Sequence, residues 1–146
     1  MTRIDFYLLD DGRAEAELLF ACRLADKALR QGSRLHFHCA DEARLARLDE
    51  LLWTFRNASF IPHERADAPL PHCPVTLGSG PFDGHDEVLV SLAPEVPEFF
   101  SQFPRVVEIV DRRGPAVETG RRRYRFYRER GYKVRTHDIP PPQARP

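Results

Sequence analysis

Residues 3–39 decide the fold class, and they read RIDFYLLDDGRAEAELLFACRLADKALRQGSRLHFHC. A short aromatic and β-branched run ends at a turn signal in residues 10–12, which predicts a buried strand over residues 3–9. Apolar residues then recur every three or four positions from Ala14 to Arg30, as expected for an amphipathic helix. A second strand is predicted over residues 34–39. Strand, helix and strand in succession form the repeating unit of a parallel sheet.

The same alternation continues to the end of the chain. Gly32 stops the first helix, and Asp41 is a natural N-cap for the next. Further strands are predicted at 75–77, 87–92, 105–110 and 132–137, a brief helix at 97–103 and a last helix at 116–130, whereas residues 57–74, with four prolines, predict no regular element. The sequence therefore predicts an α/β fold: a single Rossmann-like domain over residues 1–137, with a mostly parallel sheet and helices on both faces. Residues 138–146 are predicted to be a proline-rich disordered tail.

Composition predicts a cytoplasmic protein built on one core. The 146 residues are 42% hydrophobic and 30% charged, which suits a single globular domain. No apolar run approaches the ~20 residues of a membrane span, and no signal peptide is recognisable, so no membrane partner is expected. The three cysteines are odd in number and widely spaced, which fits a reducing compartment.

The formal net charge of zero conceals a strong asymmetry along the chain. Residues 1–104 carry 10 Lys and Arg against 17 Asp and Glu, whereas residues 105–146 carry 12 against 5. Eight of those cations lie between Arg121 and Arg135, where Glu129 is the single acid. A local basic site on an otherwise acidic protein is therefore predicted, and no sequence-specific nucleic-acid partner is expected.

The sequence contains no glycine-rich nucleotide-binding loop. The turn after the first strand has one glycine and three acids between Asp10 and Glu15, and acids there would repel a pyrophosphate. The histidines and cysteines lack the paired spacing of a zinc site, and no serine has a nucleophile motif. No cofactor, metal or catalytic residue is predicted. The alternative is a degenerate Rossmann-like nucleotide-binding enzyme with its ligand at the carboxyl ends of the strands.

The last helix carries the most informative pattern. At 100° per residue, Val117, Gly120, Tyr124 and Tyr127 form the predicted buried seam. Arg121, Arg125 and Arg128 lie side by side on its flank. Guanidinium groups beside a hydrophobic edge suit an acidic peptide that ends in an apolar side chain, because they bind carboxylates in a bidentate manner. There are two alternatives: the arginines form a solvated basic surface that binds nothing, or they bind DNA directly.

Several segments together resemble the chi subunit family of bacterial DNA polymerase III holoenzyme. The segments are DFYLL (5–9), HCADE (38–42), LDELLW (48–53), SFIPH (59–63), VSL (90–92), VVEIV (106–110) and RYRFYR (123–128) followed by Gly131-Tyr132. They run in order over nearly the whole chain. The most specific are the tryptophan-containing block with SFIPH, and the arginine-tyrosine helix.

The resemblance implies a non-catalytic replication protein with a Rossmann-like fold, the DNA-directed DNA polymerase activity belonging to the holoenzyme. It implies that one surface binds the psi subunit, which connects to the clamp loader, and another binds the acidic C-terminal tail of single-stranded-DNA-binding protein. By position, the tail pocket would use Trp53, Val110, Arg121, Tyr124, Arg125 and Arg128. Some relatives also bind a repair helicase, so the resemblance adds a repair helicase to the possible partners. Where well-known members carry a lysine in the first turn of this helix, the present chain has Val117, which removes one charge.

The psi surface has no sequence motif of its own. The apolar loop at residues 60–62 and the phenylalanines Phe99, Phe100 and Phe103 are candidates for it. Burial in the core is the alternative for both, since large apolar residues are usually inside.

Overall fold

The computed structural model describes residues 1–55, 61–66, 73–82, 84 and 87–142. The strands in these ranges are β1 (Arg3–Leu9), β2 (Leu35–Cys39), β3 (Glu64–Arg65), β4 (Val75–Gly78), β5 (Val88–Leu92), β6 (Arg105–Asp111) and β7 (Val134–Asp138). The α-helices are α1 (Ala16–Gln31), α2 (Glu42–Thr54) and α3 (Val117–Glu129). All strand pairs are parallel, in the order β3-β4-β2-β5-β6-β1-β7. The predicted Rossmann-like α/β fold is confirmed.

The helices cover both faces of this sheet. α1 and α2 pack with Phe37 and Val107 on one face, whereas α3 packs with Ile4 and Phe6 on the other. The division follows from the alternation of side chains along a strand, since neighbouring residues point to opposite faces. Within the described ranges, no helix has the length and apolar composition needed to cross a membrane.

Local sequence signals set the ends of the helices on the α1 and α2 face. The Asp41 carboxylate accepts a hydrogen bond of 2.9 Å from the backbone N–H of Arg44 and so caps α2. Gly32 ends α1 in the left-handed conformation, with φ of 72°. Both signals were read correctly from the sequence.

Two elements differ from the prediction. The proline-rich segment contains β3, a two-residue strand that pairs with β4. Two residues are too few to produce a periodic pattern, so the sequence gives no indication of it. The predicted helix at 97–103 is reduced to a single 3-10 turn at Phe100–Gln102.

The sheet continues past the predicted end of the domain. β7 includes Asp138, and the backbone N–H of Ile139 donates to the carbonyl oxygen of Leu8 at 2.9 Å. The first two residues of the predicted tail therefore extend the sheet edge. Residues 143–146, the last four of that tail, lie outside the described residues.

Candidate functional site

The rotation of α3 decides which of its arginines face solvent. Its buried side consists of Gly120, Arg123 and Tyr127. The predicted seam is confirmed for Gly120 and Tyr127, whereas Val117 and Tyr124 are half-buried at the edge of the same core. The seam is displaced because an arginine occupies part of it.

Arg123 is buried in a polar network under α3. Its Nε donates to Glu108 Oε1 at 2.8 Å, and its Nη1 donates to the carbonyl oxygen of Pro94 at 3.2 Å. The Tyr127 hydroxyl donates to the other carboxylate oxygen of Glu108 at 2.7 Å. Glu108 has no solvent exposure and Arg123 only 4%. Each group in the network is therefore held by partners of the opposite polarity, as buried charges require.

Burial also determines which protons this network holds. Loss of solvent raises the pKa of Glu108, while the neighbouring Arg123 guanidinium opposes that rise. Burial and the adjacent carboxylate raise the pKa of Tyr127, so its hydroxyl keeps the proton that it donates. The sequence analysis counted Arg123 among the cations of the basic segment and did not include it in the buried seam. The available signal was Glu108, an acid with two apolar residues on either side in the sequence, whose carboxylate needs a cation once it is buried.

A close approach of α3 to the sheet fixes the same rotation. A Cβ atom at Gly120 would lie 2.7 Å from Val110 Cγ2, a separation that real Cβ atoms essentially never show. Val110 is itself only 3% exposed. It therefore lies under the helix, as part of the support of the predicted tail pocket and outside its open surface.

Arg121, Arg125 and Arg128 are all exposed on the outer side of α3, and we call them the arginine row. Arg121 pairs with Glu118, one turn earlier on the helix. Arg128 Nη1 donates to the Tyr124 hydroxyl at 3.0 Å. Arg125 has no ion pair or hydrogen-bond partner among the described residues. Since exposed pairs of this kind contribute little energy, the row is available to another ligand.

Tyr124 and Val117 form a half-buried apolar ledge beside the arginine row. The Tyr124 ring meets the ring of Phe6 edge to face, with 5.5 Å between the centroids. The Arg128 guanidinium lies 5.8 Å from the Tyr124 ring centroid. Apolar contact surface and cationic groups thus stand next to each other on one side of α3, as the sequence predicted.

Trp53 lies elsewhere in the molecule. It belongs to the last turn of α2, on the face of the sheet opposite α3, and its ring lies against that of His63, tilted by 49° with 4.4 Å between centroids. It is 43% exposed. His63 is held in turn, with Nε2 2.6 Å from Asp49 Oδ1. The structure therefore brings five of the six predicted site residues together around α3 and leaves Trp53 apart from them.

The turn after β1 is occupied by the protein's own carboxylate. The backbone N–H groups of Asp11 and Gly12 donate to the two carboxylate oxygens of Asp111 at 3.2 and 2.8 Å. Asp111 is the last residue of the neighbouring strand β6 and pairs with Leu9, so its side chain reaches the turn after β1 at the carboxyl edge of the sheet. In nucleotide-binding relatives of this fold class, such amides hold phosphate. Here an internal acid satisfies them.

A cleft of about 810 Å³ opens at the carboxyl ends of β2 and β5. Its walls include Phe82, Phe99 and Pro97, and the charged side chains among its described lining residues are Glu95 and Glu98. Neither Lys nor Arg contributes to the described lining. An acidic, aromatic cleft is poorly suited to a phosphorylated ligand, which weighs against nucleotide binding at this edge.

The residues suggested for the psi surface differ in their burial. Ile61, Phe100 and Phe103 are buried, so the core interpretation is correct for them. Phe99 is half-buried in the wall of the cleft, and residue 60 lies outside the described residues.

Comparison with known proteins gives one consistent assignment. Residues 1–135 match the model of a protein family described as DNA polymerase III chi subunit, HolC. The subunit named DNA polymerase III subunit chi of Pseudomonas aeruginosa is 44% identical over 141 residues, which cover 96% of this chain and 99% of the relative. Relatives of the same name are 33% identical over 144 residues in Escherichia coli (93% and 97% covered) and 28% identical over 138 residues in Haemophilus influenzae (92% and 95% covered).

Proposed function

The chain belongs to the DNA polymerase III chi subunit family, and we propose that it serves DNA replication by binding partners rather than by catalysis. In this proposal the arginine row receives the acidic, phenylalanine-ending C-terminal tail of single-stranded-DNA-binding protein. A second surface binds the psi subunit, which connects it to the clamp loader. The protein then tethers the clamp loader to protein-coated single-stranded DNA.

The observation that carries the proposal is the juxtaposition on α3. Three exposed guanidinium groups lie beside the ledge of Tyr124 and Val117. Guanidinium groups bind carboxylates through paired hydrogen bonds, and an aromatic ledge offers contact area to a terminal phenylalanine. An acidic peptide with an apolar terminal residue can contact both the guanidinium groups and the ledge at once.

The distribution of charge supports an acidic peptide rather than DNA. Outside the basic segment the chain is acidic, with 17 Asp and Glu against 10 Lys and Arg in residues 1–104. A short acidic peptide can engage the arginine row without crossing that acidic surface. A long phosphate backbone would be repelled over much of its path.

The test is a fluorescence anisotropy titration of a labelled acidic peptide that ends in phenylalanine, at low and moderate salt. We expect saturable binding with a Kd of about micromolar order that weakens as salt rises. The matched control is the same peptide without its terminal phenylalanine, which we expect to bind much more weakly.

An unlabelled oligo-dT competitor in the same titration tests the alternative. Displacement of the peptide by equimolar oligo-dT would favour direct DNA binding. Absence of peptide binding at high micromolar protein would refute the tail-binding role.

A further inference from the structure

β7 forms one edge of the sheet and pairs only with β1 among the described residues. Backbone hydrogen bonds fix the pairing of β7 with β1 at both ends of the strand. The backbone N–H of Ile4 donates to the carbonyl oxygen of Lys133, and the N–H of Ile139 donates to the carbonyl oxygen of Leu8. In a parallel ladder, alternate residues of a strand bond to the same neighbour. The backbone groups of Arg135 and His137 therefore face β1.

The residues of β7 that alternate with Arg135 and His137 have their backbone groups directed away from β1. The backbone N–H and C=O groups of Val134, Thr136 and Asp138 point outward, and within the described part of the chain nothing pairs with them. We call this row of groups the outer edge of β7. Thr136 and Asp138 are exposed and Val134 is half-buried. A row of free donors and acceptors on an exposed strand is a template for another extended chain.

The outer edge of β7 runs beside the arginine row. Four residues separate the end of α3 from the start of β7, and the two elements contact each other in antiparallel directions. Thr136 pairs in register with Phe6, whose ring meets Tyr124. The side chains of Val134, Thr136 and Asp138 share the sheet face that α3 covers, because residues two apart in a strand point to the same side.

The charges along this edge favour an acidic occupant. Lys133 and Arg135 are exposed near the start of β7, at the end of the strand closest to Arg128, with the Arg135 side chain on the sheet face away from α3. The one acid on this edge, Asp138 at its far end, is paired with Arg112. Arg121 and Arg128 are about 10 Å apart along the helix axis, at 1.5 Å per residue. Three or four residues of an extended peptide span about the same length. A strand laid on this edge would therefore pass the whole arginine row.

We propose that the acidic tail binds as an added strand, hydrogen-bonded to the outer edge of β7, with alternate side chains directed at α3. Strand addition supplies affinity through main-chain hydrogen bonds, and the neighbouring side chains supply specificity. Carboxylates on the α3 side meet the arginine row, and the terminal phenylalanine meets the ledge of Tyr124 and Val117. This mode rests on the proposed function, since it describes how the same ligand is held.

The decisive variant is Thr136→Pro, which removes one outward N–H. Proline is tolerated on edge strands where the N–H faces solvent, and no ladder bond to β1 is lost. Thr136→Val is the matched control, because it retains the N–H and resembles threonine in shape. We expect Thr136→Pro to weaken peptide binding about tenfold, the equivalent of one lost hydrogen bond together with the steric effect of the ring, and Thr136→Val to leave it within about twofold.

A second measurement is independent of the variant's folding. The acidic peptide is synthesised with N-methyl groups on alternate residues, in both phases, and titrated against the unaltered protein. We expect one phase to bind about tenfold more weakly than the other, since only one set of peptide N–H groups faces β7.

The outcomes separate the two claims. Equal binding by Thr136→Pro and Thr136→Val, with both N-methylated peptides binding alike, would overturn strand addition and leave the tail-binding role intact. Failure of the unmodified peptide to bind the unaltered protein would overturn the proposed function and the binding mode together.

Discussion

α3 places the same residue type in two opposite environments. Arg123 is 4% exposed and bonded to Glu108 and to the Pro94 carbonyl, whereas Arg121, Arg125 and Arg128 are exposed on the other side. Burying a guanidinium requires a fixed set of partners, and a guanidinium so fixed cannot rearrange to bind a ligand. The buried side of the helix therefore determines its rotation, and the exposed side carries the proposed binding site.

The largest effect is expected from removal of the buried arginine. Arg123→Ala leaves the Glu108 carboxylate buried without its cation, which we expect to cost about 3–5 kcal/mol in the free energy of unfolding. Urea denaturation followed by circular dichroism measures this. Arg122→Ala is the control, because Arg122 is an exposed neighbour, and its loss should fall within about 0.5 kcal/mol. Equal losses for the two variants would mean that the buried and exposed sides do not differ in this way.

A smaller loss of stability is expected where α3 approaches β6. The added methyl of Gly120→Ala would lie 2.7 Å from Val110 Cγ2, so the helix or the strand must move. We expect a cost of about 1–3 kcal/mol, typical of overpacking in a filled core. Combining Gly120→Ala with Val110→Ala makes room for the methyl, so the double variant should lose less than the sum of the two single losses. Additive losses would contradict the contact.

On the exposed side, charge reversal should change binding and spare the fold. Arg128→Glu is expected to weaken binding of the acidic peptide about tenfold, because attraction becomes repulsion at one contact. Its thermal unfolding midpoint should match that of the unaltered protein. Arg122→Glu is the matched control, with the same charge change on the other flank of the exposed surface. Anisotropy titrations of the two variants in parallel measure the difference, and equal affinities would refute the assigned site.

The smallest effect is expected at Trp53. The family resemblance includes it in the tail pocket, but the structure places it on α2, on the opposite face of the sheet from α3. Trp53→Ala should therefore change the affinity for the acidic peptide less than about twofold if only the α3 side contacts the ligand. A loss as large as that of Arg128→Glu would require a peptide path that includes the α2 side.

These contrasts also mark what the sequence could predict. Six of the seven described strands, the caps at Asp41 and Gly32 and the position of the arginine row follow from local patterns, in which each residue is read against neighbours a few positions away. The burial of Arg123 depends on Glu108, fifteen residues earlier, and on the carbonyl of Pro94. Helical periodicity carries no information about such a partner, so the predicted seam included Gly120 and Tyr127 but omitted Arg123.

The separation of Trp53 from the arginine row depends on topology. α2 follows β2 and α3 follows β6, and the crossovers of the sheet place these helices on opposite faces. The six pocket residues were carried over from the family by sequence position, which does not show on which face of the sheet each one lies. The occupied turn after β1 is similar, because Asp111 reaches the amides of Asp11 and Gly12 only once β1 and β6 are paired.

The most direct test of the whole account is an NMR titration of the isotopically labelled protein with the acidic, phenylalanine-ending peptide. Backbone amide shifts should change along the outer side of α3, at Arg121, Arg125 and Arg128, and along β7, while amides around Trp53 and His63 stay unchanged. Shift changes centred on Trp53 and His63, or on the cleft beside Phe82 and Phe99, would contradict the assignment of binding to the exposed side of α3.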